Sequence, residues 1–259
     1  MNGYVDTRWG QVHYRTSGSE GPALLLYHES PLSSLVYTQA LDELSGSVRS
    51  FAFDTPGYGE SAPPPQETEI PEYAATLLEA ADNLGLETFA VAGAHTGASL
   101  ALQVALQAAP GRVSHVILSG VPLMTSDERA DYLANWAPAV TPDADGAHLR
   151  WAWERYVGIW KGPAEMVHLG AKLLVSNLER YNWAYNAAFR YDPEPDLSAL
   201  GVPTLFLIAE NDLLIASDRK AVGIVPDARL QIIEDLPGQL PMRVPKLFAE
   251  AVVAFLKDE

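Results

Sequence analysis

The sequence contains no cysteine, has few basic residues and lacks any long uninterrupted apolar run. The lack of cysteine excludes disulfide bonds, thiolate metal sites and a cysteine nucleophile. With 17 basic against 33 acidic residues, the formal charge of −16 argues against nucleic acid as a partner. No stretch approaches the ~18 apolar residues of a membrane helix, and residues 1–10 lack the layout of a signal peptide. These absences predict a cytoplasmic protein that acts on a small molecule and has no membrane partner.

The chain of 259 residues is 48% hydrophobic and fits one large α/β domain, with or without an insertion. Short apolar runs alternate with helical patterns, which is typical of parallel strands joined by crossover helices. Six runs predict strands buried on both faces: 23–27, 48–53, 89–92, 113–119, 204–209 and 228–233. Two earlier runs, 3–7 and 11–16, predict a hairpin at the start of the sheet. Helices are predicted at 71–84, 97–109 and 245–256.

The region 123–195 interrupts this rhythm. It has no convincing strand pattern and contains helix-like stretches at 148–160 and 164–183. Five of the six tryptophans lie in it: Trp136, Trp151, Trp153, Trp160 and Trp183. We therefore predict a helical insertion at 123–195 within a core formed by 1–122 and 196–259.

The most informative segment is the elbow at 93–97, which reads Gly-Ala-His-Thr-Gly. An apolar strand runs into it and a helix follows at once. This spacing predicts a sharp strand-to-helix turn that exposes its central residue, His95, at the carboxyl edge of the sheet. The two flanking glycines allow the strand and the helix to approach closely.

Together with three further features, the elbow resembles the α/β-hydrolase superfamily over almost the whole chain. The elbow matches Gly-X-Ser-X-Gly, with His95 in place of serine. Residues 54–61, Asp-Thr-Pro-Gly-Tyr-Gly-Glu-Ser, resemble the family's turn after its fourth strand, and 28–31, His-Glu-Ser-Pro, resemble its oxyanion loop. The insertion corresponds to the family's lid. The resemblance implies an α/β-hydrolase fold: a mostly parallel eight-stranded sheet flanked by helices, with an inserted helical lid.

The resemblance also assigns the triad positions. The family's acid follows the strand at 204–209, where Asp212 is the match. The family's histidine belongs to a Gly-His pair before the last helix, where this chain has Gly238 and Gln239. Glutamine orients a neighbour but accepts no proton near neutral pH. The Ser-His-Asp set thus becomes His95, Gln239 and Asp212, an atypical triad.

The oxyanion hole is predicted from backbone N–H groups, which survive side-chain substitution. Its donors would be the N–H groups of Thr96, after the elbow residue, and of Ser30. Glu29 replaces the glycine that is usual in this loop. It is interpreted as a second acid/base or an anchor for a substrate hydroxyl, or else as a partly solvated loop carboxylate.

Imidazole is well matched to proton transfer near neutral pH. We expect Asp212 or Gln239 to hold one ring nitrogen of His95, while the other activates water as a general base. Direct attack by the ring ranks below water activation. An Asp212 contact raises the histidine pKa, whereas burial and the helix N-terminus lower it, so the sequence leaves the sign of the shift open.

Three functions are compatible with these residues. The first is a cofactor-independent hydrolase of an ester or lactone, in which Trp136, Trp151, Trp160 and Trp183 indicate a small apolar or aromatic substrate. The second is a lyase, dehydratase, decarboxylase or cyclase that uses His95 as acid or base, because such reactions need no acyl-enzyme. The third is a ligand-binding protein without turnover. No cofactor or metal site is predicted.

Overall fold

A computed structural model describes residues 1–257 of the chain. Its centre is an eight-stranded sheet in the order β1-β2-β4-β3-β5-β6-β7-β8. The strands are β1 (Asn2–Thr7), β2 (Gly10–Ser17), β3 (Ala23–Tyr27), β4 (Arg49–Phe53), β5 (Phe89–Ala94), β6 (Val113–Ser119), β7 (Thr204–Ala209) and β8 (Arg229–Ile233). β2 pairs antiparallel with β1 and β4, and the other pairings are parallel. The predicted α/β-hydrolase fold is confirmed.

The helices cover both faces of this sheet and the end where the parallel strands finish. They are α1 (Thr38–Leu44), α2 (Ile70–Asn83), α3 (Thr96–Gln107), α4 (Ser126–Asn135), α5 (Ala147–Trp160), α6 (Ala164–Ser176), α7 (Trp183–Arg190), α8 (Glu194–Ala199), α9 (Ile215–Ala221), α10 (Leu240–Arg243) and α11 (Pro245–Lys257). No helix within residues 1–257 combines the length and apolar character needed to cross a membrane.

Burial on both faces explains the unbroken apolar runs of the central strands. All five residues of β3 are buried. Leu25 packs with residues of α2 and α3, while its neighbours Leu24 and Leu26 pack with residues of α1 and α11. Successive strand residues point to opposite faces, so a central strand between two helical layers must be apolar throughout.

The segment between β6 and β7 contains α4 to α8, and no residue from 120 to 203 forms a strand. The helix expected over 164–183 is wrong as a single helix, because the chain leaves the helical path after α6 and resumes it at α7. The break begins at Asn177, whose side-chain amide donates to the carbonyl of Leu173. Asparagine competes with the helical hydrogen bonds in this way and favours helix ends. We call residues 123–195 the helical segment.

Candidate active site

His95 occupies the sharp turn between β5 and α3. Its backbone angles, φ 50° and ψ −114°, lie in a region that non-glycine residues rarely adopt. The flanking glycines make this turn sterically possible. A Cβ on Gly93 would lie 1.9 Å from the carbonyl oxygen of Gly97, and one on Gly97 would lie 2.1 Å from that of Tyr27. The elbow places the His95 side chain at the carboxyl edge of the sheet, as its sequence predicts.

The imidazole of His95 lies between two carboxylates. Its Nδ1 is 3.1 Å from Glu29 Oε2, and its Nε2 is 3.0 Å from Asp212 Oδ1. The His95 side chain is 20% exposed, that of Glu29 12% and that of Asp212 3%. An acceptor at each ring nitrogen is the arrangement that an imidazolium, with two N–H donors, satisfies completely.

The surrounding charges and burial shift the pKa of all three groups. Burial lowers the pKa of His95, but the Asp212 and Glu29 carboxylates outweigh it and raise the pKa to about 10. Burial also works against ionised Asp212, yet His95 brings its pKa below the usual range. The pKa of Glu29 is raised, because burial exceeds the opposing pull of His95. At neutral pH the His95 ring therefore carries a positive charge.

These contacts bear on the expectations for His95 and Glu29. The ring of His95 has no free basic nitrogen facing the cavity, so the structure does not support His95 itself as the resting-state base. The sequence leaves Glu29 either as an acid/base or substrate anchor or as a partly solvated loop carboxylate; its side chain is 12% exposed and contacts His95, and its role remains a prediction. The expected hydrogen bond from His95 to Asp212 is present.

Gln239 does not hold His95. Its amide, oriented to satisfy its neighbours, accepts from Trp160 Nε1 at 3.2 Å and donates to the carbonyl of Pro237 at 3.0 Å. Among the described residues, no hydrogen bond joins it to His95 or Asp212. In a Ser-His-Asp triad the histidine contacts the aspartate. Here the imidazole of His95, which belongs to the elbow, makes that contact with Asp212.

Two residues at the cavity have backbone N–H groups without an acceptor among the described residues. In the elbow, the N–H of His95 donates to the carbonyl of Ser119, and the N–H of Ala98 donates to the carbonyl of His95. None of the hydrogen bonds within residues 1–257 uses the N–H of Thr96 or of Ser30. Both residues line a cavity together with His95, and their role as an oxyanion hole remains a prediction.

His28 supports the loop that carries Glu29. Its Nδ1 donates to the carbonyl of Glu29 at 2.9 Å, and its Nε2 accepts from the N–H of Thr55 at 2.9 Å. This pair of bonds requires the neutral ring, and burial lowers the pKa of His28 accordingly. His28 therefore holds the backbone of Glu29 in place, while His95, Gln239 and Arg243 act on its carboxylate and lower its pKa against burial.

The cavity above the elbow is lined largely by the helical segment. Of the four tryptophans predicted to bind substrate, Trp136 and Trp160 line it. Trp151 packs edge-on against Tyr181, and Trp183 begins α7; neither lines the cavity. The lining residues that sequence reasoning missed include Met124, Tyr132, Tyr156, Tyr185 and Phe189. Helical periodicity alone does not show which side of a helix faces a cavity.

Sequence reasoning also missed Gly120 and Asp218, which fix the position of the imidazole. A Cβ on Gly120 would lie 2.4 Å from Cδ2 of His95, so the ring packs directly on this glycine. Fully buried Asp218 accepts hydrogen bonds from the N–H groups of Gly120 and Val121, at 2.7 and 2.8 Å. Burial raises the pKa of Asp218 to about 7. No sequence pattern distinguishes Asp218 from an ordinary aspartate on a surface helix.

A strained strand-to-helix elbow at the carboxyl edge of such a sheet is characteristic of α/β-hydrolase-fold proteins. Residues 26–251 match the model of the alpha/beta hydrolase family, and the chain belongs to that family.

Among its relatives is carboxylesterase YbfK of Bacillus subtilis, which is 27% identical over 98% of this chain and 86% of that protein. An uncharacterized carboxylesterase of the same organism, nap, is 24% identical over 99% of this chain and 86% of that protein. The enol-lactonase of Burkholderia xenovorans superposes with a TM-score of 0.81 at 19% identity, over 99% of this chain and all of that one. At that identity the superposition establishes the fold alone.

Proposed function

We propose that the protein is a hydrolase of small esters or lactones with an apolar or aromatic part, in which Glu29, His95 and Asp212 form one acid–base unit. The observation that carries the proposal is the His95 ring held between two carboxylates beside the unused N–H groups of Ser30 and Thr96. The relatives named as carboxylesterases support an ester as substrate.

In this proposal Glu29 takes the role that was expected of His95. The imidazolium keeps its proton, because its pKa is about 10. Glu29 is ionised beside it, and its raised pKa makes it the better proton acceptor of the two carboxylates. A water molecule between Glu29 and the substrate attacks: the water oxygen bonds to the carbonyl carbon of the substrate, and a water proton passes to the Glu29 carboxylate.

The negative charge that develops on the carbonyl oxygen is stabilised by the N–H groups of Ser30 and Thr96. Donors of this kind are worth about 10²–10³ in rate when fixed in advance. As the tetrahedral intermediate collapses, the bond from carbon to the leaving oxygen breaks. Protonated Glu29 then returns its proton to that oxygen, so the products are the acid and the alcohol and the unit is restored.

Asp212 and His95 act as positioning and electrostatic groups in this scheme. Asp212 holds the ring and keeps its charge, and the charged ring orients Glu29 and stabilises it while ionised. Because His95, the central residue of the elbow, carries no hydroxyl and both of its ring nitrogens are occupied, no acyl-enzyme forms on it in this scheme. Water attacks the substrate directly.

The test uses a panel of aryl and alkyl esters and lactones in ¹⁸O-labelled water, with intact-protein mass spectrometry during turnover. Wild type is expected to place label in the acid product and to show no acyl adduct. Glu29→Gln is expected to lower kcat by about 10²–10⁴, the usual contribution of a general base. Glu43→Gln, a change to an exposed glutamate of α1, is the control and leaves kcat unchanged.

Other results would overturn the proposal in recognisable ways. An acyl adduct on wild type would replace direct water attack with covalent catalysis. An unlabelled product that still depends on Glu29 and His95 would assign the protein to the lyase or cyclase class. Ligand binding without any turnover would identify a binding protein.

A further inference from the structure

The helical segment contains a guanidinium group without a counter-charge. Arg155 of α5 has its guanidinium carbon 5.0 Å from the ring centroid of Trp136 and 5.7 Å from that of Trp151. Its Nε and Nη2 atoms are buried and have no hydrogen-bond partner within residues 1–257. No carboxylate of that range forms a salt bridge with it. Aromatic faces attract a cation but leave its charge unbalanced, which is costly away from water.

Two phenols that are subject to the charge of this arginine line the cavity above the elbow. Tyr156 and Tyr185 line the same cavity as His95 and Glu29. Both Arg155 and Glu29 act electrostatically on each phenol. Burial raises the pKa of both phenols, Glu29 adds to the rise, and Arg155 opposes it. The O–H groups are therefore neutral donors at physiological pH.

The phenol proton of Tyr156 lacks an acceptor. Tyr156 is 3% exposed, and its hydroxyl is buried without a hydrogen-bond partner among the described residues. Tyr185 lines the same cavity, and the Arg155 guanidinium and the Trp136 indole oppose the rise that burial causes in the pKa of its phenol. An unsatisfied buried hydroxyl costs about 1–3 kcal/mol.

We infer that the cavity binds an anionic substrate, whose carboxylate accepts from Tyr156 and Tyr185 with Arg155 behind them while its ester or lactone carbonyl lies at the elbow. The inference rests on the proposed function for the reacting end of the substrate. A carboxylate supplies both the acceptor that Tyr156 lacks and the counter-charge that Arg155 lacks, whereas a neutral carbonyl supplies only the first. The side chains of Glu29 and Asp212 contact His95 at the elbow, so an anionic group of the substrate is favoured at the phenols and Arg155 over the elbow.

The test measures binding without turnover by titration calorimetry. The probes are 5-oxohexanoate and 5-oxohexanamide, ketones of nearly equal size that cannot be hydrolysed and that differ in the charge of one end. Wild type is expected to bind the anion about tenfold or more tightly than the amide. Arg155→Met is expected to abolish this preference. Arg150→Met, at an exposed position of the same helix, retains it.

Tyr156→Phe removes one hydroxyl and keeps the packing, so it decides the question if Arg155→Met does not fold. It is expected to weaken binding of 5-oxohexanoate by about fivefold and to change that of the amide less.

Equal binding of the two ketones, no detectable binding of 5-oxohexanoate, or a preference that survives both variants would overturn the inference. Preferred anion binding without hydrolysis of any ester would leave the inference standing and remove the proposed function. Hydrolysis of neutral esters without any anion preference would support the proposed function and overturn the inference of an anionic substrate.

Discussion

Two histidine–aspartate pairs within residues 1–257 differ in their access to a cavity. His13 Nδ1 is 2.8 Å from Asp54 Oδ2, with side chains 1% and 2% exposed. His95 Nε2 is 3.0 Å from Asp212 Oδ1, but the His95 side chain is 20% exposed and lines two cavities. The first pair is closed off inside the sheet and its turns, whereas the second faces a space that a ligand can enter.

The second difference is the number of carboxylates at each ring. His95 has one at each nitrogen, while Nε2 of His13 is buried without a partner in the described range. The Asp54 carboxylate also accepts hydrogen bonds from the N–H groups of Ser34 and Glu60, at 2.6 and 2.9 Å. A short histidine–aspartate contact is thus not evidence of a site. A ring shared between two acids beside an open cavity has the features that proton transfer needs.

The largest effect we predict is on stability at the closed pair. Asp54→Ala leaves His13 and two backbone donors without their acceptor, so the free energy of unfolding should fall by about 3–5 kcal/mol. Urea denaturation measures this. Asp82→Ala removes an exposed ion pair with Arg112 and should cost about 1 kcal/mol or less. Equal losses for the two variants would show that Asp54 does not stabilise the fold through this buried network.

At the open pair, stability should depend on alkaline pH. The pKa of His95 rises from 6.5 to about 10 on folding, so its contribution is complete below pH 6.5 and is lost as pH rises through 10. Between pH 7 and 10 wild type should lose on the order of 3 kcal/mol more unfolding free energy than His95→Gln. The difference between the two proteins cancels the titration of tyrosine and lysine elsewhere. If the free energy of unfolding of wild type and of His95→Gln changed in parallel with pH, the conclusion that the His95 ring is charged at neutral pH would be contradicted.

The position of the ring can be disturbed without altering any charge. Gly120→Ala puts a methyl group into the space of the His95 ring, so kcat should fall by about 10²-fold. Gly85→Ala imposes a similar backbone strain, φ +70° against +66°, at a site with no atom within 4 Å. Steady-state kinetics on one ester compares the two variants. Similar rates would mean that the ring tolerates displacement.

The smallest effect we predict is on KM, which should change when a tryptophan that lines the cavity is replaced and not when one outside the cavity is replaced. Trp136→Ala removes part of the cavity wall and should raise KM about three- to tenfold for an aromatic ester, with little change in kcat. Trp183→Ala, a change outside the cavity lining, should leave KM unchanged. A larger effect at Trp183 would indicate that the substrate binds elsewhere on the helical segment.

Much of the fold could be predicted because strand and helix periods are local properties of the sequence. The runs at 23–27, 113–119 and 204–209 became strands with the same bounds, and the elbow glycines marked the turn at His95. The position of Glu29 beside the ring was not predictable. It depends on how the loop after β3 packs over the elbow, and no local pattern encodes that distance.

Errors arose where side-chain direction decides the outcome. Gln239 occupies the expected place in the chain, but its amide turns to Trp160 and leaves Asp212 to the elbow imidazole. Trp151 and Trp183 lie in the predicted helical insertion yet pack away from the cavity. The division of the chain at 123 and 195 remains a prediction, as do the catalytic and substrate-binding roles.

The protonation state of His95 tests the account most directly. Nitrogen-15 NMR of the histidine-labelled protein, assigned with His95→Gln, reports whether each ring nitrogen carries a proton. Because the pKa of His95 is about 10, we predict protons on both Nδ1 and Nε2 at pH 8, and loss of one proton only near pH 10. A neutral His95 ring at pH 8, with one nitrogen free of a proton, would contradict the assignment of the base to Glu29 and return that role to His95.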